Sequence, residues 1–195
     1  MDENRAGLPV AVIEIEVRDK DGKLIEKRKQ PARSWVKNMI IYLRSYFAYA
    51  DANVVKQDGT TTTNRVTAMC AEIFPVNAGT GEDRYGLLVG TGTKVFSIDD
   101  YSLDNKIPHG TSSGQLSYGE TTVEGIVDDG SKLSFKIVRT FSNESGADIV
   151  VTEIGLAVRG GDNYILIARD LLDPSVTVPN GKTLTVRYII QYVYA

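Results

Sequence analysis

At 195 residues the chain has room for one domain of ordinary size, with or without an extension, and for a sizeable core. A net charge of −3 gives no basic footprint for general nucleic-acid binding, and 42% hydrophobic with 24% charged residues excludes overall disorder. The single Cys70 excludes an intrachain disulfide, and with the single His109 it leaves too few ligands for a zinc site built without carboxylates.

The first residues, Met1 to Arg5, are polar and charged, and the apolar run after them is interrupted by Glu14 and Glu16. Neither a cleaved export signal nor a membrane span is expected, so synthesis in a cytoplasm is. Val10 to Val17 alternates, with Ala11, Ile13, Ile15 and Val17 on one side, and predicts a strand with one buried face. Asp19-Lys20-Asp21-Gly22 then turns the chain, and Lys23 to Lys29 returns as an antiparallel hairpin whose charges suit an exposed edge. The same Asp-x-Asp-Gly opens a calcium loop, but Gln30 stands where that loop needs its Glu, so a plain turn is the reading.

After Pro31, Ser34 is placed to cap a helix over Trp35 to Tyr49. Trp35, Val36, Met39, Ile40, Leu43, Tyr46 and Phe47 recur at helical spacing, and this stripe docks either on the sheet or on a neighbouring subunit. Asp51 to Arg65 is polar and Thr-rich, either a long exposed loop or a hairpin tip, and in both cases a contact arm. Val66 to Phe74 reads as another strand, and Pro75 with the Asn77-Ala78-Gly79-Thr80-Gly81 run marks a soft boundary. Residues 1–80 are thus a hairpin, helix and loop extension packed on a main domain at 81–195.

In the main domain, Tyr85 to Gly90 is a short apolar run that predicts a fully buried strand. The following Gly90-Thr91-Gly92-Thr93 lacks the third glycine and the helix of a phosphate cradle, so it reads as a tight turn with backbone close to a neighbour. Gln115 to Tyr118, Thr121 to Val127, Leu133 to Phe141, Asp148 to Val158, Tyr164 to Arg169 and Lys182 to Tyr194 come next as strands separated by Gly-, Asn- and Asp-rich turns. Asp148 to Val158 is the expected central strand. The fold class is mainly β, an antiparallel two-sheet β-sandwich of the jelly-roll or immunoglobulin-like kind, with one N-terminal helix and a β-hairpin.

No catalytic motif accompanies His109 or Cys70, and Asp99-Asp100, Asp128-Asp129 and Asp170 with Asp173 are carboxylate pairs on turns or on opposite strand faces. No enzyme activity, cofactor or metal is expected. Asn143-Glu144-Ser145 fits a glycosylation acceptor but reads as a turn.

Tyr85 to Thr93 (YGLLVGTGT), Asp100-Tyr101-Ser102-Leu103, Gln115 to Gly119, Arg139 to Asn143, Val151 to Leu156, Ala168-Arg169-Asp170 and Val176 to Tyr188 occur in an order that resembles structural proteins of tailed phages and prophages. The resemblance covers most of residues 80 to 195 and spans capsid, decoration, connector and tail components alike. It implies a virion protein, made in a host cytoplasm, whose partners are itself and other virion proteins, with no membrane and no sequence-specific nucleic acid. Trp35, Tyr46 and Phe47, or the loop from Val54 to Arg65, are the expected subunit contacts. The alternative is a carbohydrate-binding or adhesion module, in which Tyr188, Tyr192 and Tyr194 present rings to a surface glycan.

Overall fold

Residues 9–32, 34–64 and 75–193 are described by a computed structural model. The expected strand at Val66 to Phe74, together with Arg65 and Tyr194, lies outside them. Within them the chain is mainly β with antiparallel sheets, and α1 (Lys37–Ala48) is their one helix. The hairpin read from the sequence forms as β1 (Pro9–Arg18) and β2 (Leu24–Ala32), and the Thr-rich stretch is a second hairpin, β3 (Ala52–Val55) and β4 (Thr61–Asn64). Asp58 closes the turn of this second hairpin by accepting hydrogen bonds from the Thr60 N–H and hydroxyl.

The later strands are β5 (Gly86–Gly90), β6 (Ser117–Val123), β7 (Val127–Asp128), β8 (Lys132–Ser142), β9 (Ile149–Gly160), β10 (Asn163–Val178) and β11 (Thr183–Val193). One sheet runs β2-β1-β11-β8-β6, with β7 also on β8, and the second runs β10-β9-β5. β1 therefore lies inside the first sheet, between β2 and β11, so the N-terminal hairpin and the later strands share one layer. Side chains of both sheets and of α1 and β3 join one buried cluster, which includes Ile13, Val36, Val54, Ile154 and Val186.

Register explains that cluster. Ile13, Ile15 and Val17 of β1 face Tyr188, Val186 and Leu184 of β11, which in turn face Ile137, Arg139 and Phe141 of β8. Strand alternation places this whole row on one face, and it is apolar except at Arg139. β9 is the middle strand of the second sheet, and from Glu153 to Val158 every residue is buried, as a strand covered on both faces requires.

The arginine in the apolar row is buried without a carboxylate. Arg139 donates from Nε to the Gly119 carbonyl at 2.8 Å, from Nη1 to those of Tyr85 and Leu87 at 3.1 and 2.9 Å, and from Nη2 to those of Gly79 and Glu82. Its guanidinium also lies 4.8 Å over the Tyr118 ring. Burial pushes its pKa down to about 10, still far enough above neutral to leave a cation. One side chain thus ties the segment before β5 to the first sheet. Arg139→Lys keeps the charge but cannot reach these carbonyls together, and urea unfolding is expected to show a loss of about 3 kcal/mol.

Candidate functional site

The loop between β5 and β6 is anchored by a second buried charge cluster. Glu153 of β9 is fully buried; its Oε1 accepts from the N–H groups of Gly92 and Asn105 at 3.1 and 2.8 Å, and its Oε2 from that of Asp104 at 3.1 Å. Arg169 of β10, also buried, donates Nε to Glu153 Oε2 at 2.8 Å, Nη1 to Asp100 Oδ2 at 3.0 Å and Nη2 to the Lys94 carbonyl at 2.8 Å. The glycines at 90 and 92 now have a physical reason, because a Cβ at either would stand within 2.5 Å of Glu153 Oε1. The backbone here cradles a carboxylate of its own chain.

Asp100 completes the cluster. Burial alone would raise its pKa, but the Ser97 N–H, Lys94 and Arg169 outweigh burial and hold it below the ordinary 3.8. With its oxygens bonded to N–H groups and a guanidinium, Glu153 serves as an anchor rather than a reactive group. The anchored loop carries Val95, Ile98 and Tyr101 exposed to solvent. It also meets the start of α1, where the Lys37 N–H donates to the Ile98 carbonyl at 2.8 Å and Lys37 Nζ stands 3.4 Å from Asp99.

Ser34 does not cap the helix. Residues 34–36 run extended along the edge of β10, with Arg169 N–H bonded to the Ser34 carbonyl and Val36 N–H to that of Ile167, so α1 begins only at Lys37. Its inward face is unexpectedly polar. Asn38 is buried, donating from Nδ2 to the carbonyls of Val55 and Leu166 at 2.8 and 3.2 Å and accepting the Val55 N–H at 3.1 Å. Tyr42 and Ser45 are buried on the same side, and the Ser45 hydroxyl donates to the Ala50 carbonyl. Two members of the predicted stripe consequently face water, Ile40 at 58% and Leu43 at 40% exposure. Lys37 and Arg44 share this exposed side.

The expected contact residues are placed differently from one another. Trp35 is half-buried, edge-on to Tyr188 at 5.9 Å, and Tyr46 packs partly buried on the core. Val54 is fully buried within its own chain, so it offers no surface. Phe47 lies in α1, whereas Arg65 lies outside the described residues. Of the tyrosines considered for glycan stacking, Tyr188 is buried and its hydroxyl donates to Asp170 at 3.3 Å, while Tyr192 is 42% exposed.

The opposite face of the first sheet carries a charge lattice. Glu14 stands across from Arg187 on one side and Lys29 on the other, and Glu16 is bonded by Arg18 and flanked by Lys27 and Arg187. Burial would raise the Glu14 pKa, but Lys27, Lys29 and Arg187 prevail, and the Arg18 bond comes first among the causes that lower Glu16. A cleft lined by Lys56, Arg84, Lys106 and Tyr164 has its cations paired already, with Asp58, Glu82 and Asp83. His109 Nδ1 accepts the Tyr118 N–H at 3.1 Å, and among the described residues no group of three or more His, Cys, Asp or Glu is placed to hold a metal ion. Asn143 organises its turn, donating Nδ2 to the carbonyls of Ala147 and Val178.

Comparison with family models, with curated proteins and with solved structures finds no match in any of the three.

Glu153→Gln would place amide hydrogens against N–H donors and leave Arg169 short of a partner, so denaturant unfolding should show a loss of about 3–5 kcal/mol. Acid should act through Asp100, Glu14 and Glu16, whose folded pKa values lie below their ordinary 3.8, 4.5 and 4.5. Carboxylates with depressed folded values contribute in full above the unfolded values and lose that contribution as pH falls through the folded ones. The unfolding midpoint should therefore hold from neutral pH down to about 4.5 and drop below it, and Asp100→Asn should make the drop shallower.

Proposed function

We propose that the chain is a non-enzymatic structural subunit that assembles with copies of itself as a component of a phage-like virion. In this reading the two sheets form a sandwich around their shared core, with strand order β2-β1-β11-β8-β6 over β10-β9-β5. The observation that carries it is the orientation of α1, which buries Asn38, Tyr42 and Ser45 while offering Ile40 and Leu43 to solvent. A large aliphatic pair on a helix pinned from behind, with Val95 and Ile98 on the neighbouring anchored loop, is suited to a protein contact. The proposed contact surface is thus the side of the predicted stripe that carries Ile40 and Leu43.

The virion part of the reading rests on the order of motifs between Tyr85 and Tyr188. In the fold these motifs converge on the two buried arginines: Gly90 to Thr93, Asp100, Glu153 and Arg169 in one cluster, Tyr118 and Arg139 in the other. They are scaffold residues, which is why the resemblance concerns a fold more than a position in a particle.

Light scattering over a concentration series tests self-assembly. The protein should show a mass above the 21.4 kDa of one chain, rising with concentration. Ile40→Lys with Leu43→Lys should lower that mass at unchanged thermal stability, since both residues are exposed. A constant 21.4 kDa for the unaltered protein would count against the reading.

A further inference from the structure

The core-facing row of the first sheet runs past its cover. Along β8, Phe141, Arg139 and Ile137 are buried, Phe135 only partly, and Leu133 is 39% exposed. Along β11 the same progression leads from buried Leu184, Val186 and Tyr188 through partly buried Ile190 to Tyr192 at 42%. Cross-strand pairing sets Phe135 beside Ile190 and Leu133 beside Tyr192, so both strands lose their cover at the same level. Ile126, just before β7, adds a side chain 75% exposed, and the five surround a shallow groove whose remaining lining residues are Ser134 and Gln191.

Resting on the self-assembly reading above, we infer that this overhang is a two-fold contact with a second copy of the chain, each overhang supplying the layer that the other lacks. Elsewhere the same row joins the buried cluster that it shares with the second sheet, and sheets stack face to face at about 10 Å. A second overhang offers that kind of surface. A two-fold axis brings each surface onto itself, which is tolerable only where like charges do not meet. The groove lining holds no ionisable side chain except the Tyr192 phenol; at its margin Asp128, across from Leu133, accepts the Gly130 N–H at 2.9 Å, and Lys136 pairs with Glu124 at 3.2 Å and Lys132 with Asp129 at 3.4 Å within one chain. Five side chains per copy make a small contact, below the ~1,200 Å² of a standard interface, so it is reversible by itself. Combined with the α1 surface it gives each subunit two contacts, enough for an assembly to grow beyond a pair.

The test uses the full chain carrying Ile40→Lys and Leu43→Lys, in which the α1 surface is disabled, and tracks mass by light scattering across concentration. This protein should reach twice 21.4 kDa at the highest concentrations. Adding Ile126→Lys, or instead Ile126→Glu, puts like charges across the axis, and each should remain at 21.4 kDa with thermal stability unchanged. An equimolar mixture of the two should recover the doubled mass. If the Ile126 variants keep the doubled mass, or if the α1 variant is a single chain while the unaltered protein assembles, the overhang contact is overturned and self-assembly stands. A mixture that stays at 21.4 kDa overturns the two-fold arrangement, and an unaltered protein that never associates overturns both readings.

Discussion

The ion pair between Arg169 and Glu153 is the interaction on which the placement of the loop after β5 depends. It joins neighbouring strands, β10 and β9, at 2.8 Å, which by itself would be a local matter. Its reach comes from what each partner does with its remaining valences. Glu153 takes the N–H groups of Gly92, Asp104 and Asn105, and Arg169 takes Asp100 and the Lys94 carbonyl, so a stretch with little regular structure is held at five points from Gly92 to Asn105. A buried pair is weak evidence for stability, because desolvation cancels much of the Coulomb gain, but breaking one side of it is costly. Its effect here is positional: the loop has one place to lie, and the start of α1 is built against it through Ile98.

Arg139 solves the same problem without a counter-charge. Backbone carbonyls and the face of Tyr118 neutralise its desolvation, and the carbonyls belong to the segment between Gly79 and Leu87 and to Gly119. The two arginines therefore divide the irregular part of the chain between them: Arg139 holds the segment before β5, and Arg169 the loop between β5 and β6. Both use a planar donor fork that can address several acceptors from a single stem, which a lysine cannot.

Much of this architecture is legible in the amino-acid sequence. The alternation in β1, the unbroken apolar run of β5 and the central place of β9 come from period and length, and the turns from Gly, Asn and Asp. The interruption of an apolar row by Arg139, between Ile137 and Phe141, carries the mark of a buried charge, which the strand pattern alone passes over. Its partners were not readable, because they are backbone carbonyls, identical in every residue. Gly90 and Gly92 announced a close approach, but the approaching group, Glu153, is 61 residues from Gly92. α1 was legible in place and only in part in orientation. A stripe of large apolar residues points to the core by default; Val36, Met39 and Tyr46 do pack there, but Asn38, Tyr42 and Ser45 at four- and three-residue spacing form a second inward stripe beside them, which leaves Ile40 and Leu43 outside.

The orientation of α1 can be weighed. Turning it to bury Ile40 and Leu43 would gain about 2 kcal/mol, since each is already partly covered and full burial of such a side chain is worth roughly 1.5–3. The same rotation would take Asn38 away from the Val55 N–H and from the carbonyls of Val55 and Leu166. Buried backbone groups left without partners cost roughly 1–3 kcal/mol each, so the loss exceeds the gain. Asn38 thereby holds β3 and β10 to the helix and keeps the aliphatic side outward. Rotation of α1 is thus closed as a way to take Ile40 and Leu43 out of water, and the helix keeps them on its outer side.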